Sequence, residues 1–160
     1  DVLKRAVENY INSYDIVLID CPPNLGIVTQ NGLNISDYYL IPTIPDHLST
    51  YGIPQIISSV NSFNRRTESN VEPLGMIASM YRSAVTRHNT TLQKLQSKSA
   101  AGELPKLFET KIPLASKAAD ATLFEAEGIN TIKQKYGWSS SNLYEAFSQL
   151  TEEFCQYVGL

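Results

Sequence analysis

The stretch Tyr14-Asp-Ile-Val-Leu-Ile-Asp20-Cys-Pro-Pro23-Asn-Leu-Gly26 decides how the rest of the chain is read. Four apolar residues, Ile16 to Ile19, end on a lone carboxylate at Asp20, and two prolines and a glycine follow. A short apolar run bounded by turn residues reads as a strand buried on both faces. The acid then falls at the strand's C-terminal end, where open α/β sheets place their ligand crevice. A carboxylate there can hold a cation, usually Mg²⁺ with a bound phosphate. The plain alternative is a turn cap at a strand end.

Outward from this segment the chain alternates. Val2, Leu3, Ala6, Val7, Tyr10 and Ile11 recur at helical spacing over 2–13. Residues 27–35 read as a short helix and Tyr38–Ile44 as a second apolar run closed by Pro45-Asp46. Asp46 or Ser49 can cap a helix over 49–64 whose apolar face is Ile53, Ile56, Ile57, Val60 and Phe63. Pro54 is expected in its first turns, where a missing N–H costs least. Pro73–Tyr81 and Leu107–Ile112 read as strands, with a helix over 85–98 between them. A helix over 115–127, an extended piece over 130–136 and a last helix capped near Ser139–Ser141 complete the order. The expected fold is α/β, a mostly parallel sheet flanked by helices.

Bulk properties bound the function. The chain has 160 residues, enough for one domain, and a formal net charge of −3. Two cysteines, Cys21 and Cys155, form no metal-ligand spacing and no disulfide framework, which favours a reducing cytosol. No apolar stretch approaches 18 residues. Asp1 leads straight into a helix-like segment, which predicts a chain that begins inside a domain. His47 and His88 are isolated, and no base is placed beside Cys21 by the sequence.

Charge is uneven. Between Arg82 and Lys117 there are seven basic residues against two acids, Glu103 and Glu109, and Lys133 and Lys135 follow. Basic residues gathered on one face grip phosphates without reading sequence. The ordinary alternative is a solvated face of lysines. The last helix sets Leu143, Phe147, Leu150, Phe154 and Tyr157 on one face, and Glu145, Glu152 and Glu153 are read onto the opposite one. It carries no lysine or arginine, unlike a membrane-anchoring amphipathic helix.

The run Asp15–Gly26, then Thr29-Gln-Asn31-Gly-Leu33 and Ser36-Asp37, resembles the ParA/Soj partition ATPases of the deviant Walker A group. So do Leu40-Ile-Pro42-Thr-Ile-Pro45 with Gly52-Ile53, and Phe108-Glu-Thr-Lys-Ile-Pro113 with Ala119, Glu127-Gly128 and Tyr136-Gly137. The resemblance runs from about residue 2 to 158. It implies a P-loop NTPase fold of the SIMIBI type, incomplete at its N-terminus, with residues 1–160 forming the C-terminal portion of a single ATPase domain. It implies ATP and Mg²⁺ as cofactors and an ATP-bound homodimer that binds DNA without sequence preference. A ParB-like partner would stimulate hydrolysis, in the cytoplasm and on the nucleoid, with no membrane role. No G-x-x-x-x-G-K-[ST] occurs in the chain. The resemblance therefore implies that this chain alone turns over no ATP.

By the same resemblance, Asp20 is the catalytic and metal-side acid, and Pro22, Pro23 and Gly26 form a switch near the γ-phosphate. Ser79-Met80 and Ile112-Pro113-Leu114 face adenine, with Met80 or Pro113 on the base. Relatives often carry Asn or Thr where Ser79 stands. Arg87, Lys111, Lys117 and Lys135 fall in the DNA-binding segments. The alternatives are a MinD-like membrane regulator, disfavoured by the acidic last helix, and a fold-related ATP-dependent enzyme such as dethiobiotin synthetase. A pure interaction module without catalysis is the third.

Overall fold

A computed structural model describes residues 2–22, 24–116, 136 and 142–160. The elements run α1 (Val2–Ile11), α2 (Ile27–Leu33), β1 (Tyr38–Thr43), α3 (His47–Thr67), β2 (Glu72–Tyr81), α4 (Thr86–Ala100), β3 (Leu107–Pro113) and α5 (Leu143–Val158). The chain divides into two compact units, Asp1–Tyr39 with Ile53–Pro73, and Leu40–Gly52 with Leu74–Leu160.

In the first unit, α1 packs against α2. The apolar face of α3 closes a core of Leu33, Val60, Phe63 and Val71, with Leu25, Tyr39 and Ile56 packed on it. These α3 residues are those the helical spacing places inward. The Asn64 side chain seals the turn after α3. Its amide donates to the Val71 carbonyl at 2.9 Å, and its oxygen accepts the Val71 N–H at 3.4 Å.

The strand expected over Ile16–Ile19 is a correction. These residues run as irregular chain, with Val17 46% and Leu18 79% exposed. An apolar run becomes a strand when its backbone is paired and both its faces are covered. Neither condition holds here among the described residues.

The second unit contains the three-stranded sheet, in the order β1-β2-β3, with helices packed around it. β2 and β3 run parallel, joined through α4, as a parallel crossover requires. Pro105 stops the chain before β3, and Pro113 ends it. Leu92 and Leu95 of α4, Met76 and Ala78 of β2, Leu107, Phe108 and Ile112 of β3, and Leu143 of α5 are buried. α5 packs on β3.

Asp46 is the helix cap anticipated at α3. Its Oδ1 accepts the Ser49 N–H at 3.0 Å. That bond leads in holding the Asp46 carboxyl below its ordinary value, against the opposing effect of burial. α3 starts at His47, earlier than expected, so Pro54 sits inside the helix and not in its first turn. The Thr50 carbonyl thereby has no N–H four residues on to bond. The helix expected over 115–127 and the piece over 130–136 lie almost wholly outside the described residues, as does the Ser139–Ser141 cap.

The β2–β3 register is irregular. Met76 pairs with Leu107 and Ala78 with Lys111, so two steps along β2 answer four along β3. β3 therefore bulges between Phe108 and Thr110.

Candidate functional site

In the first unit, Asp20 is exposed at the end of the irregular Ile16–Ile19 segment. Its neighbour Cys21 has its thiol pushed up by burial, with the Asp20 charge adding to that. Gly32 of α2 seats on this segment. A Cβ there would stand 3.2 Å from Cys21 Sγ and 3.3 Å from Ile19 Cγ2. The loop that follows is stapled to α2 by side chains. Thr29 Oγ1 donates to the Asn24 carbonyl at 2.6 Å, Gln30 Nε2 to the Leu25 carbonyl at 2.9 Å, and the Gly26 N–H to Asn24 Oδ1 at 3.1 Å. Pro22 is exposed, and Pro23 lies outside the described residues.

Among the described residues no group of three His, Cys, Asp or Glu side chains could cage a metal. Asp20 alone still fits Mg²⁺, which keeps several waters and takes one or two carboxylates beside phosphate oxygens.

In the second unit, the ends of β2 and β3 bring Ser79, Met80, Pro113 and Leu114 together. Tyr81 pairs with Pro113, and the Leu114 N–H donates to the Tyr81 carbonyl at 3.0 Å. Met80 (52% exposed) and Leu114 (43% exposed) form an open apolar platform at the C-terminal ends of parallel strands. Ser79 Oγ lies 3.5 Å from the Thr43 carbonyl, a long contact.

Met80 has φ 51°, in the left-handed region that a side chain with a Cβ adopts at a cost of about 1–2 kcal/mol. Strain of this kind gathers at ligand clamps. Replacing Met80 by Gly relieves the backbone and removes the platform, whereas Met80→Ala removes only the platform. If the platform receives a nucleotide base, both variants should bind nucleotide about tenfold more weakly in the intact protein, one apolar face being worth roughly 1.4 kcal/mol. Met80→Gly should melt no lower than Met80→Ala. Isothermal titration together with thermal melts checks the pair.

A polar clasp fixes the chain beyond β2. Tyr81 Oη donates to Asn89 Oδ1 at 2.6 Å, Asn89 Nδ2 to the Ser83 carbonyl at 2.9 Å, and the Arg82 N–H to His88 Nδ1 at 3.2 Å. The Tyr81 ring also takes the Lys111 ammonium, 5.8 Å from its centroid. Arg87 is exposed on α4. At about 100° per residue, Arg87, Lys94 and Lys98 fall within about 40° of one another around that helix. Lys98 is shared with Glu103 at 3.5 Å, an exposed pair of little energetic weight. Lys117 and Lys135 lie outside the described residues.

A shallow groove of about 450 Å³ lies between β3 and α5, away from the strand ends, lined by Lys106, Glu109, Thr110, Glu152, Glu153 and Tyr157 among others. Glu153, read from sequence onto the outward face of α5, is corrected by the structure. Its carboxylate accepts the Glu109 N–H at 2.7 Å and the Thr110 N–H at 3.0 Å, and Tyr157 Oη donates to it at 2.8 Å. The signal was present in the sequence. At about 100° per residue Glu153 stands only about 40° from Tyr157 on the helix, whereas Glu152 stands about 140° away.

A family model described as AAA domain matches residues 1–73. The sporulation initiation inhibitor protein Soj of Bacillus subtilis is 30% identical over 110 residues, 69% of this chain and 40% of that protein. A ParA family protein of Mycoplasma pneumoniae is 24% identical over 157 residues, 98% of this chain and 56% of that protein. Among solved structures, cobyrinic acid a,c-diamide synthase from Mycobacterium smegmatis, with bound ADP and magnesium, superposes with a TM-score of 0.60 at 30% identity. That match covers 71% of this chain and 45% of the synthase. The chain spans about half the length of the curated relatives it matches. On this kinship, the chain is similar to the ParA-like ATPases over most of its length.

Proposed function

We propose that the intact protein is an ATP-dependent molecular switch that dimerises with ATP and Mg²⁺ and holds DNA non-specifically to partition or position a cargo. The observation that carries the nucleotide half is the strand-end platform, where Met80 and Leu114 stay exposed beside Pro113 and Met80 keeps a strained backbone. It offers an apolar face to a base. Asp20 is the carboxylate on the metal side. When bound, Mg²⁺ neutralises charge on the transferring phosphate. This chain's part is to hold the ion's waters through Asp20 and to shape the turn after it.

The DNA half rests on the α4 stripe of Arg87, Lys94 and Lys98, with Lys111 on β3. Each phosphate contact adds about −0.9 to the slope of log affinity against log salt. A homodimer doubles the patch, and a ParB-like protein is the proposed stimulating partner. No helix among the described residues is long and apolar enough to cross a membrane. The proposed setting, like the DNA reading it accompanies, is the cytoplasm and nucleoid.

Retention of random duplex DNA by the intact protein tests this reading. It should need ATP with Mg²⁺, fail with ADP, and weaken steeply between low and physiological salt. Equal retention without nucleotide sinks the switch. A second reading, ATP-driven amide formation, is favoured by the name of the structural neighbour. It is distinguished by ATP turnover that requires an amine donor and a carboxylic acid and ignores DNA.

A further inference from the structure

We propose that Thr29 is a positioning residue for the Mg²⁺-side half of the site, acting as the latch of the loop that carries Asp20. The inference rests on the reading of Asp20 given above. Thr29 is 6% exposed and, among the described residues of its unit, is a buried polar side chain beside an apolar core of Leu33, Val60, Phe63 and Val71. A buried hydroxyl that only filled space would be better replaced by an apolar group. This one is committed to a single stretch of backbone. Oγ1 lies 2.6 Å from the Asn24 carbonyl and 3.4 Å from the Pro22 carbonyl. A hydroxyl has one proton, so the Asn24 bond is the strong one and Pro22 takes the weaker share.

Two successive anchor points of the turn, one immediately after Cys21 and one at Asn24, thus converge on one atom of α2. The Gln30 amide holds the next carbonyl, Leu25, from the same helix. From the exposed side, Asn24 Oδ1 holds the Gly26 N–H. Among the described residues Asp20 itself has no comparable fixture, standing exposed two residues before the anchored carbonyl of Pro22. The direction of its carboxylate is therefore set by how firmly the turn after it is held. Thr29 contacts no reacting atom. It acts through the loop.

The test uses the intact protein with Thr29→Val, nearly the same shape without the hydroxyl, and Thr29→Ser, which keeps it. Amide exchange is read without nucleotide, and the Mg²⁺ concentration for half-maximal ATP turnover is read at saturating ATP. In Thr29→Val the Gly26 amide should exchange about tenfold faster, as expected for one lost hydrogen bond. The Mg²⁺ midpoint should rise at least fivefold, while ATP affinity measured without Mg²⁺ stays within twofold. Thr29→Ser should restore both.

Asn24→Ala, at an exposed position, loosens the same turn from outside and covers the case in which Thr29→Val does not fold. It should move both readouts in the same direction. A wild-type Mg²⁺ midpoint in Thr29→Val or Asn24→Ala overturns the latch, as does failure of Thr29→Ser to restore it. Asp20→Asn separates the two levels of the claim. If it abolishes the Mg²⁺ response while Thr29→Val leaves it intact, the latch falls and the reading of Asp20 stands. If Asp20→Asn leaves the response unchanged, that reading falls and the latch falls with it.

Discussion

Replacing Gly75 by alanine should destabilise the protein by about 3 kcal/mol, more than any single-methyl change elsewhere in the described sheet. Gly75 lies in β2 against β3. A Cβ there would stand 2.7 Å from Phe108 Cε2, 2.9 Å from Phe108 Cδ2 and 2.8 Å from the Lys106 carbonyl oxygen. Neither neighbour can give way freely. Phe108 is 1% exposed, and its ring is held edge-on by Tyr157 with centroids 4.6 Å apart. The Lys106 carbonyl already accepts the Met76 N–H at 2.8 Å, at the start of the β2–β3 pairing. Overpacking a filled core costs about 1–3 kcal/mol. Displacing the carbonyl adds about 1 kcal/mol for the strained hydrogen bond. A fall in melting temperature of roughly 10 °C follows for a unit of this size. The double variant Gly75→Ala/Phe108→Leu should recover part of the loss, because the two side chains compete for one volume. A single variant that melts within a degree of the wild type would show that the strands are less tightly apposed than the geometry says.

The same stretch shows how far the sequence could be read. The strands β2 and β3 were legible because each is an apolar run bordered by proline, and helical spacing identified α1, α3 and α5 to within a few residues. Those signals record burial, and burial is what sequence periodicity encodes. Ile16–Ile19 gave the same signal and did not form a strand, since periodicity says that side chains seek cover and not that cover exists. The role of Gly75 was illegible. A strand glycine looks like a weak point until the ring facing it is known. Thr29 was illegible for a related reason, because a threonine in the first turn of a helix does not announce that it bonds a carbonyl five residues back. The candidate site divides similarly. The residues quoted for base contact, Ser79, Met80 and Pro113, do meet at one end of the sheet, as parallel pairing requires. The strain at Met80 and the Tyr81–Asn89 clasp that holds the adjoining turn are visible only in the structure.

Removal of the Glu153 carboxylate should have the next largest effect and should be visible in its pH dependence. Parallel strands normally send neighbouring N–H groups to opposite sides, so a single side chain cannot collect two in succession. The β3 bulge turns Glu109 and Thr110 the same way, and Glu153 takes one N–H on each oxygen. Hydrogen bonds to a charged acceptor are worth about 1.5–3 kcal/mol each. Part of that is forgone here because water reaches the groove, so Glu153→Ala should cost about 2 kcal/mol in all. Glu153→Gln should lose nearly as much, for the amide keeps one acceptor and points its own N–H groups at the other donor.

Burial pushes the Glu153 carboxyl up, but the Glu109 and Thr110 N–H groups and the Tyr157 hydroxyl together outweigh it and hold the group below its ordinary value. A depressed carboxyl stabilises the fold above its unfolded value, about 4.3, and loses that contribution as pH falls through the lower folded one. The wild type should therefore be most above Glu153→Gln near neutral pH, and the gap should close on acidification below about pH 4. Denaturant unfolding of both proteins from pH 7 to pH 3 reads this directly. A gap that stays constant across that range would mean that Glu153 supports β3 by packing and not by charge. In that case the bulge that leads into Lys111, Ile112 and Pro113 would owe its shape to Phe108 and Tyr157, and the strand-end platform would be set by ring packing instead of by a carboxylate.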